Sequence, residues 1–135
     1  MNAIEVFSLE CLVLACMLFY LSLRVIKYRR KDKIATGAKT IALEKAIRAQ
    51  GNFTEYVPIT LIIHLGLAII KVNAYLLALF AILLIIGRIF HAYSSLSAEL
   101  LEKPTLIYRK LGMILTFTST IFSAICFVFY AFFII

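Results

Sequence analysis

Four apolar runs divide the chain, each bounded by charged or turn-forming residues. The first extends from about Val6 to Ile26, is free of charge only from Cys11, and ends where Arg24, Lys27, Arg29, Arg30, Lys31 and Lys33 accumulate. The second, Val57 to Ile70, holds 14 residues. A helix needs about 20 to cross the hydrocarbon of a bilayer, so this one must begin earlier, near Ile41 or Ala46. That extension puts Arg48, Asn52 and Glu55 on helical backbone. The third run, Val72 to Gly87, follows a short link around Lys71 and Asn73 and continues as a helix through Arg88 toward Ser95. The fourth, Leu111 to Ile135, has no charge at all. The pattern predicts an all-α membrane protein, a single four-helix transmembrane domain over 1–135 with helices at about 4–27, 41–70, 73–96 and 105–134. Near-continuous apolar runs of this kind lack the alternation of a membrane β-barrel.

Composition sharpens this picture. The chain is 64% hydrophobic and 16% charged, with a mean hydropathy of +1.02. Soluble domains are roughly 45–50% apolar and about 25% charged, so the excess must face a bilayer, and disorder is excluded. Four spans and one substantial loop use the length, leaving no room for a separate soluble domain. Cys11, Cys16 and Cys126 lie inside apolar runs without the close spacing of a metal site or redox pair, and read as small core residues. The first segment carries Glu5 and Glu10 where a cleaved signal would carry basic residues, so helix 1 is expected to stay in the protein.

Of the 14 basic residues, nine lie between Arg24 and Arg48 and four between Arg88 and Lys110, against one at Lys71. Loops one and three share a side in any four-span chain, so the positive-inside rule places both in the cytoplasm and both termini on the opposite side. The net charge of +7 is then a topology signal and an attraction to anionic membrane lipids, and nucleic acid is not an expected partner.

The informative residues are polar ones at membrane level. Arg48, Asn52 and Glu55 fall at i, i+4 and i+7 and project from one helix face, flanked by Gln50 and Tyr56. Arg88, His91 and Ser95 form a second stripe at i, i+3 and i+7, at the same depth. Charged groups in a membrane cost several kcal/mol unless paired, and usually face the bundle interior and mark function. Where the two stripes meet they offer arginine forks for carboxylates, an amide for backbone-like groups and a carboxylate for an ammonium, which suits a small zwitterionic or anionic ligand. Pro58 removes a backbone donor beside the first stripe. His64 has no polar neighbour at helical spacing except Thr60 and reads as a satisfied core histidine. Glu10, one turn inside helix 1 and away from the other charges, reads as an interface residue or a proton-coupled site.

The segment Arg48-Ala49-Gln50-Gly51-Asn52-Phe53-Thr54-Glu55-Tyr56-Val57-Pro58 resembles the helix 2 signature of the MAPEG family, the membrane-associated proteins in eicosanoid and glutathione metabolism. The likeness extends to Val25-Ile26-Lys27-Tyr28-Arg29-Arg30, to Gly87-Arg88-Ile89-Phe90-His91 and to the four-span layout, and the short form with Arg109-Lys110-Leu111-Gly112-Met113 is most similar to the small bacterial members. The resemblance implies a homotrimer with glutathione bound between subunits on the cytoplasmic side and an apolar small-molecule or lipid acceptor reaching its sulfur through the membrane. It implies glutathione contacts from Arg29, Arg48, Gln50, Asn52, Glu55, Tyr56, Arg88 and His91, and a bacterial inner membrane as the compartment.

In one well-studied branch of the family, helix 3 supplies two tyrosines to the glutathione site, where this chain has His91 and Ser95. The thiolate-stabilising arginine of that branch precedes a proline in the third loop, where this chain has Glu102-Lys103-Pro104, so Lys103, or Arg109 after a gap, is the candidate for that catalytic role. The expected function is that of a glutathione-dependent transferase or peroxidase acting on lipophilic electrophiles or lipid hydroperoxides. The alternatives are a family member that binds glutathione or lipid without turnover, and a small proton-coupled multidrug exporter using Glu10.

Overall fold

The computed structural model describes residues 1–100 and 106–133, with the side chains at 96–100 outside the description. Its four helices are α1 (Ala3–Asp32), α2 (Ile41–Ile69), α3 (Ala74–Leu100) and α4 (Leu106–Phe133). Each contains a stretch of 22 to 30 residues apolar enough to cross a bilayer. The chain is an integral, multi-pass membrane protein.

Local signals set the helix ends. Asn2 caps α1: its side-chain oxygen accepts from Glu5 N at 2.9 Å while the Glu5 carboxylate accepts from Asn2 N at 3.0 Å. At its other end α1 runs past the predicted residue 27, because the cations of its last turn, Arg29, Arg30 and Lys31, favour the negative end of the helix dipole. Lys33, in the left-handed region at φ 54°, ends it. Thr40 then joins the two helices, since its hydroxyl donates to Asp32 at 2.7 Å and accepts from Leu43 N at 3.3 Å at the start of α2. Helix α2 begins at Ile41, as the short second run requires, and continues through Pro58 to Ile69.

The centre of the bundle is α2 and α3, which touch each other and both remaining helices, whereas α1 and α4 do not touch each other. Buried apolar clusters lie along the axis: Val6, Leu67 and Phe80 near the N-terminal end, Leu14, Phe53 and Leu84 in the middle, and Val25, Leu43 and Ala46 at the basic end. Phe19, Ile62, Ile82 and Phe122 stay exposed on the flanks, a liability in water and a match to lipid tails in a bilayer. Helices α3 and α4 meet backbone to backbone at two glycines. A Cβ added to Gly112 would stand 2.7 Å from Gly87 O and from His91 N, and one added to Gly87 would stand 2.9 Å from Gly112 O. This is the small-residue approach typical of membrane helices.

Candidate functional site

At the basic end a cavity of about 770 Å³ opens between α2, α3 and α4. Arg48, Asn52 and Glu55 line it from α2, His91, Ser94 and Ser95 from α3, and Arg109 from α4. The two polar stripes therefore meet. Arg48 and Glu55 make no hydrogen bond or ion pair among the described residues, so both heads are available to a ligand. His91 is buried, and its Nε2 has no partner among the described residues.

Asn52 is held rigidly. Arg88 Nη1 donates to Asn52 Oδ1 at 2.8 Å, while Asn52 Nδ2 points to Met113 Sδ at 3.7 Å. Arg88 is itself fixed by Thr116, whose hydroxyl accepts from Nε at 3.0 Å and passes its own proton to Gly112 O at 2.8 Å. The guanidinium lies 5.9 Å from the centre of the Tyr56 ring, which packs edge-on against Phe117. Arg88 is 2% exposed and stands behind Asn52, outside the cavity lining. Among the described residues no carboxylate lies within ion-pair distance of it. A buried cation with neutral partners leaves its field uncompensated, and that field favours an anion in the cavity next to it.

The remaining sequence-predicted residues lie elsewhere in the chain. Tyr56 packs beside Arg88 as described. Gln50 turns toward α1, its Nε2 donating to Ser22 Oγ at 2.8 Å. Arg29 donates to the carbonyl of Ala35 and lines a separate cavity of about 490 Å³ with Arg30 and Lys33. Lys103 lies outside the described residues. Glu44, Lys45 and Gly51 also line the main cavity and were not singled out by spacing. Met113 and Thr116, which hold Asn52 and Arg88, gave no signal in the sequence because each is an unremarkable residue of an uncharged run.

His64 has a partner that helical spacing did not reveal. Its Nδ1 lies 2.9 and 3.0 Å from the two carboxylate oxygens of Glu10, 54 positions earlier, and neither side chain is exposed. Glu10 is thus buried between helices.

Gly51 offers a direct check on the cavity wall. A methyl group there meets nothing within 4 Å. Gly51→Ala is expected to keep the fold and raise its stability by about 0.5–1 kcal/mol, because glycine loses more chain entropy in a helix than alanine. Thermal unfolding in detergent would read this as a higher midpoint, and a lower one would mean that the wall is closed at that point.

The family model that matches residues 7–129 is that of the MAPEG family. The chain belongs to the MAPEG family. Among its relatives is the Escherichia coli inner membrane protein YecN, of strains K12 and O6:H1, 29% identical over 87 residues. That match covers 64% of this chain and 66% of YecN, just short of two thirds of the relative's length. The signature Arg48, Asn52, Glu55 and Pro58 falls inside the matched family region, and three of those residues bear on the cavity or its wall.

Proposed function

We propose that this MAPEG protein binds glutathione as co-substrate in the cavity at the basic end and transfers it to lipophilic electrophiles, or uses it to reduce lipid hydroperoxides. The observation that carries this reading is the meeting of Arg48, Asn52, Glu55, His91 and Arg109 around one cavity at the end of membrane-spanning helices. Glutathione presents carboxylates, an ammonium, amides and a thiol. Arg48 matches a carboxylate, Glu55 the ammonium, and Asn52, held by Arg88, an amide.

A free thiol has a pKa near 8.5 and is mostly protonated at neutral pH, and each unit by which a cation lowers it takes about 1.4 kcal/mol. Arg109 is the cation at the cavity that suits this task, with Lys103 as the other candidate. The thiol proton leaves to water, and the thiolate forms a carbon–sulfur bond as the electrophile's epoxide C–O bond or activated C=C π bond opens, the oxygen or carbon that receives the electron pair taking a proton from water. With a hydroperoxide the thiolate attacks the O–O bond, giving an alcohol and a sulfenic acid, which a second glutathione converts to disulfide and water.

The working unit in this reading is a homotrimer in a bacterial inner membrane, with the basic end in the cytoplasm and both termini opposite. Arg29 and Gln50, which stand away from the cavity of their own chain, would then serve the site of a neighbouring subunit. The apolar acceptor would approach along the exposed flanks of α1 and α4.

Two measurements on detergent-purified protein test the reading. Calorimetric titration with glutathione is expected to show saturable binding that weakens at least tenfold in Arg48→Ala and in Glu55→Gln; parent-like affinity in both would refute the assignment. The ultraviolet thiolate band of bound glutathione is expected at neutral pH and is expected to vanish in Arg109→Ala or Lys103→Ala while binding persists. Saturable binding with no band in the parent would identify a binding protein that does not turn over.

A further inference from the structure

The Glu10–His64 pair lies outside the cavity, and its surroundings give it a definite chemistry. At 1.5 Å per residue, Glu10 is about 10 Å along α1 from its first residue and His64 about 8 Å along α2 from its last, so the pair is inside the apolar part of the bundle. Among the described residues no counter-charge faces it. Helix α3 has no charged residue from Ala74 to Gly87, nor α4 from Leu111 to Phe133, and the ring stacked on His64, with centroids 6.2 Å apart, is Phe80. The titratable groups nearby are Cys11, the neighbour of Glu10 on α1, and Cys126 and Tyr130 of α4, which pack against the cluster that holds Phe80. With a neutral imidazole and an ionised carboxylate the sealed pair carries one negative charge, and one more proton makes it neutral.

The far nitrogen of the imidazole, Nε2, is buried and has no partner among the described residues. Imidazole can accept a proton at one nitrogen and release one at the other. Helical side chains lean toward the N-terminus, so His64 leans toward Thr60 one turn earlier. The hydroxyl of Thr60 is 2.7 Å from that of Thr120 on α4, Thr120 Oγ1 donates to Thr116 O at 2.9 Å, and the Thr116 hydroxyl receives Arg88 Nε. The Thr60 hydroxyl also donates to Tyr56 O at 2.9 Å, so the hydroxyl protons end on the backbone carbonyls of Tyr56, Thr116 and Gly112, and these contacts tie α2 to α4 beside His64 without relaying a proton.

We propose that Glu10 and His64 form a proton-binding site inside the membrane, taking up and releasing its proton at His64 Nε2. On release, the Nε2 proton passes to water, the shared proton moves to Nδ1, and the pair is left with one net negative charge. Uptake reverses the steps. Nothing in this depends on glutathione.

Infrared difference spectra of lipid-reconstituted protein, taken between pH values at which it stays folded, test the site. The parent is expected to show a carboxylic C=O stretching signal that shifts in heavy water and is lost in Glu10→Gln. His64→Gln keeps the carboxyl and is expected to move the same signal, which preserves the test if Glu10→Gln does not fold. Absence of any pH-dependent carboxyl signal from Glu10 throughout the folded range would overturn the site.

Discussion

Arg88→Met is expected to weaken glutathione binding by about 100-fold while changing the stability of the protein little. The substitution has two opposing effects on the fold. It leaves Asn52 Oδ1 without its donor, at a cost of about 1–3 kcal/mol. It also removes a buried cation that has no carboxylate partner among the described residues, which returns a desolvation cost of similar size. Binding has no such offset. Asn52 loses the bond that aims it, and the cavity loses the nearest buried positive charge. Hydrogen bonds to charged groups contribute about 1.5–3 kcal/mol, and the upper figure corresponds to the 100-fold loss. Arg88→Lys is expected to recover part of the affinity only, since one ammonium cannot span Asn52 and Thr116 as the planar fork does. Calorimetry paired with thermal unfolding reads both quantities, and affinity unchanged in Arg88→Met would show that Asn52 needs no support from behind.

Gly112→Leu acts on the fold itself. Even a Cβ at Gly112 would come within 2.7 Å of backbone atoms of Gly87 and His91, and backbone cannot swing aside as a flexible side chain can. Relief requires α3 and α4 to separate over the segment that carries His91 and Arg109. The expected result is a lower yield of folded protein and, in whatever folds, loss of ligand binding; Gly87→Leu should behave alike because its Cβ meets Gly112 O at 2.9 Å. Overpacking of this kind costs about 1–3 kcal/mol where side chains can adjust, and more where they cannot. Wild-type melting behaviour in Gly112→Leu would mean that the two helices are not in backbone contact in the membrane.

The sequence announces much of this architecture, and its silences have physical causes. The start of α2 followed from arithmetic, because 14 apolar residues cannot cross a bilayer and the helix had to extend back over Arg48 to Glu55. The meeting of the two stripes followed from helical periodicity and a shared depth. Periodicity says which face a residue is on but not how far that face is rotated toward a neighbour. For that reason Arg88 could be placed at the site but not behind Asn52, and Gln50 and Arg29 could be named without their turning to Ser22 and Ala35. The partner of His64 was hidden for another reason. Helical spacing reports neighbours within one helix, and Glu10 reaches His64 from a different one.

That pairing across α1 and α2 bears on how the chain is made. Glu10 leaves the ribosome 54 residues before His64, an interval of about 3–10 s at common synthesis rates of about 5–20 residues per second. Through that time α1 would hold an unpartnered acidic side chain in hydrocarbon, at a penalty on the order of 3 kcal/mol. The first nascent segment that can enter the lipid with that carboxyl hydrogen-bonded is therefore the α1–α2 hairpin, which makes biogenesis of the first half of the molecule a two-helix event.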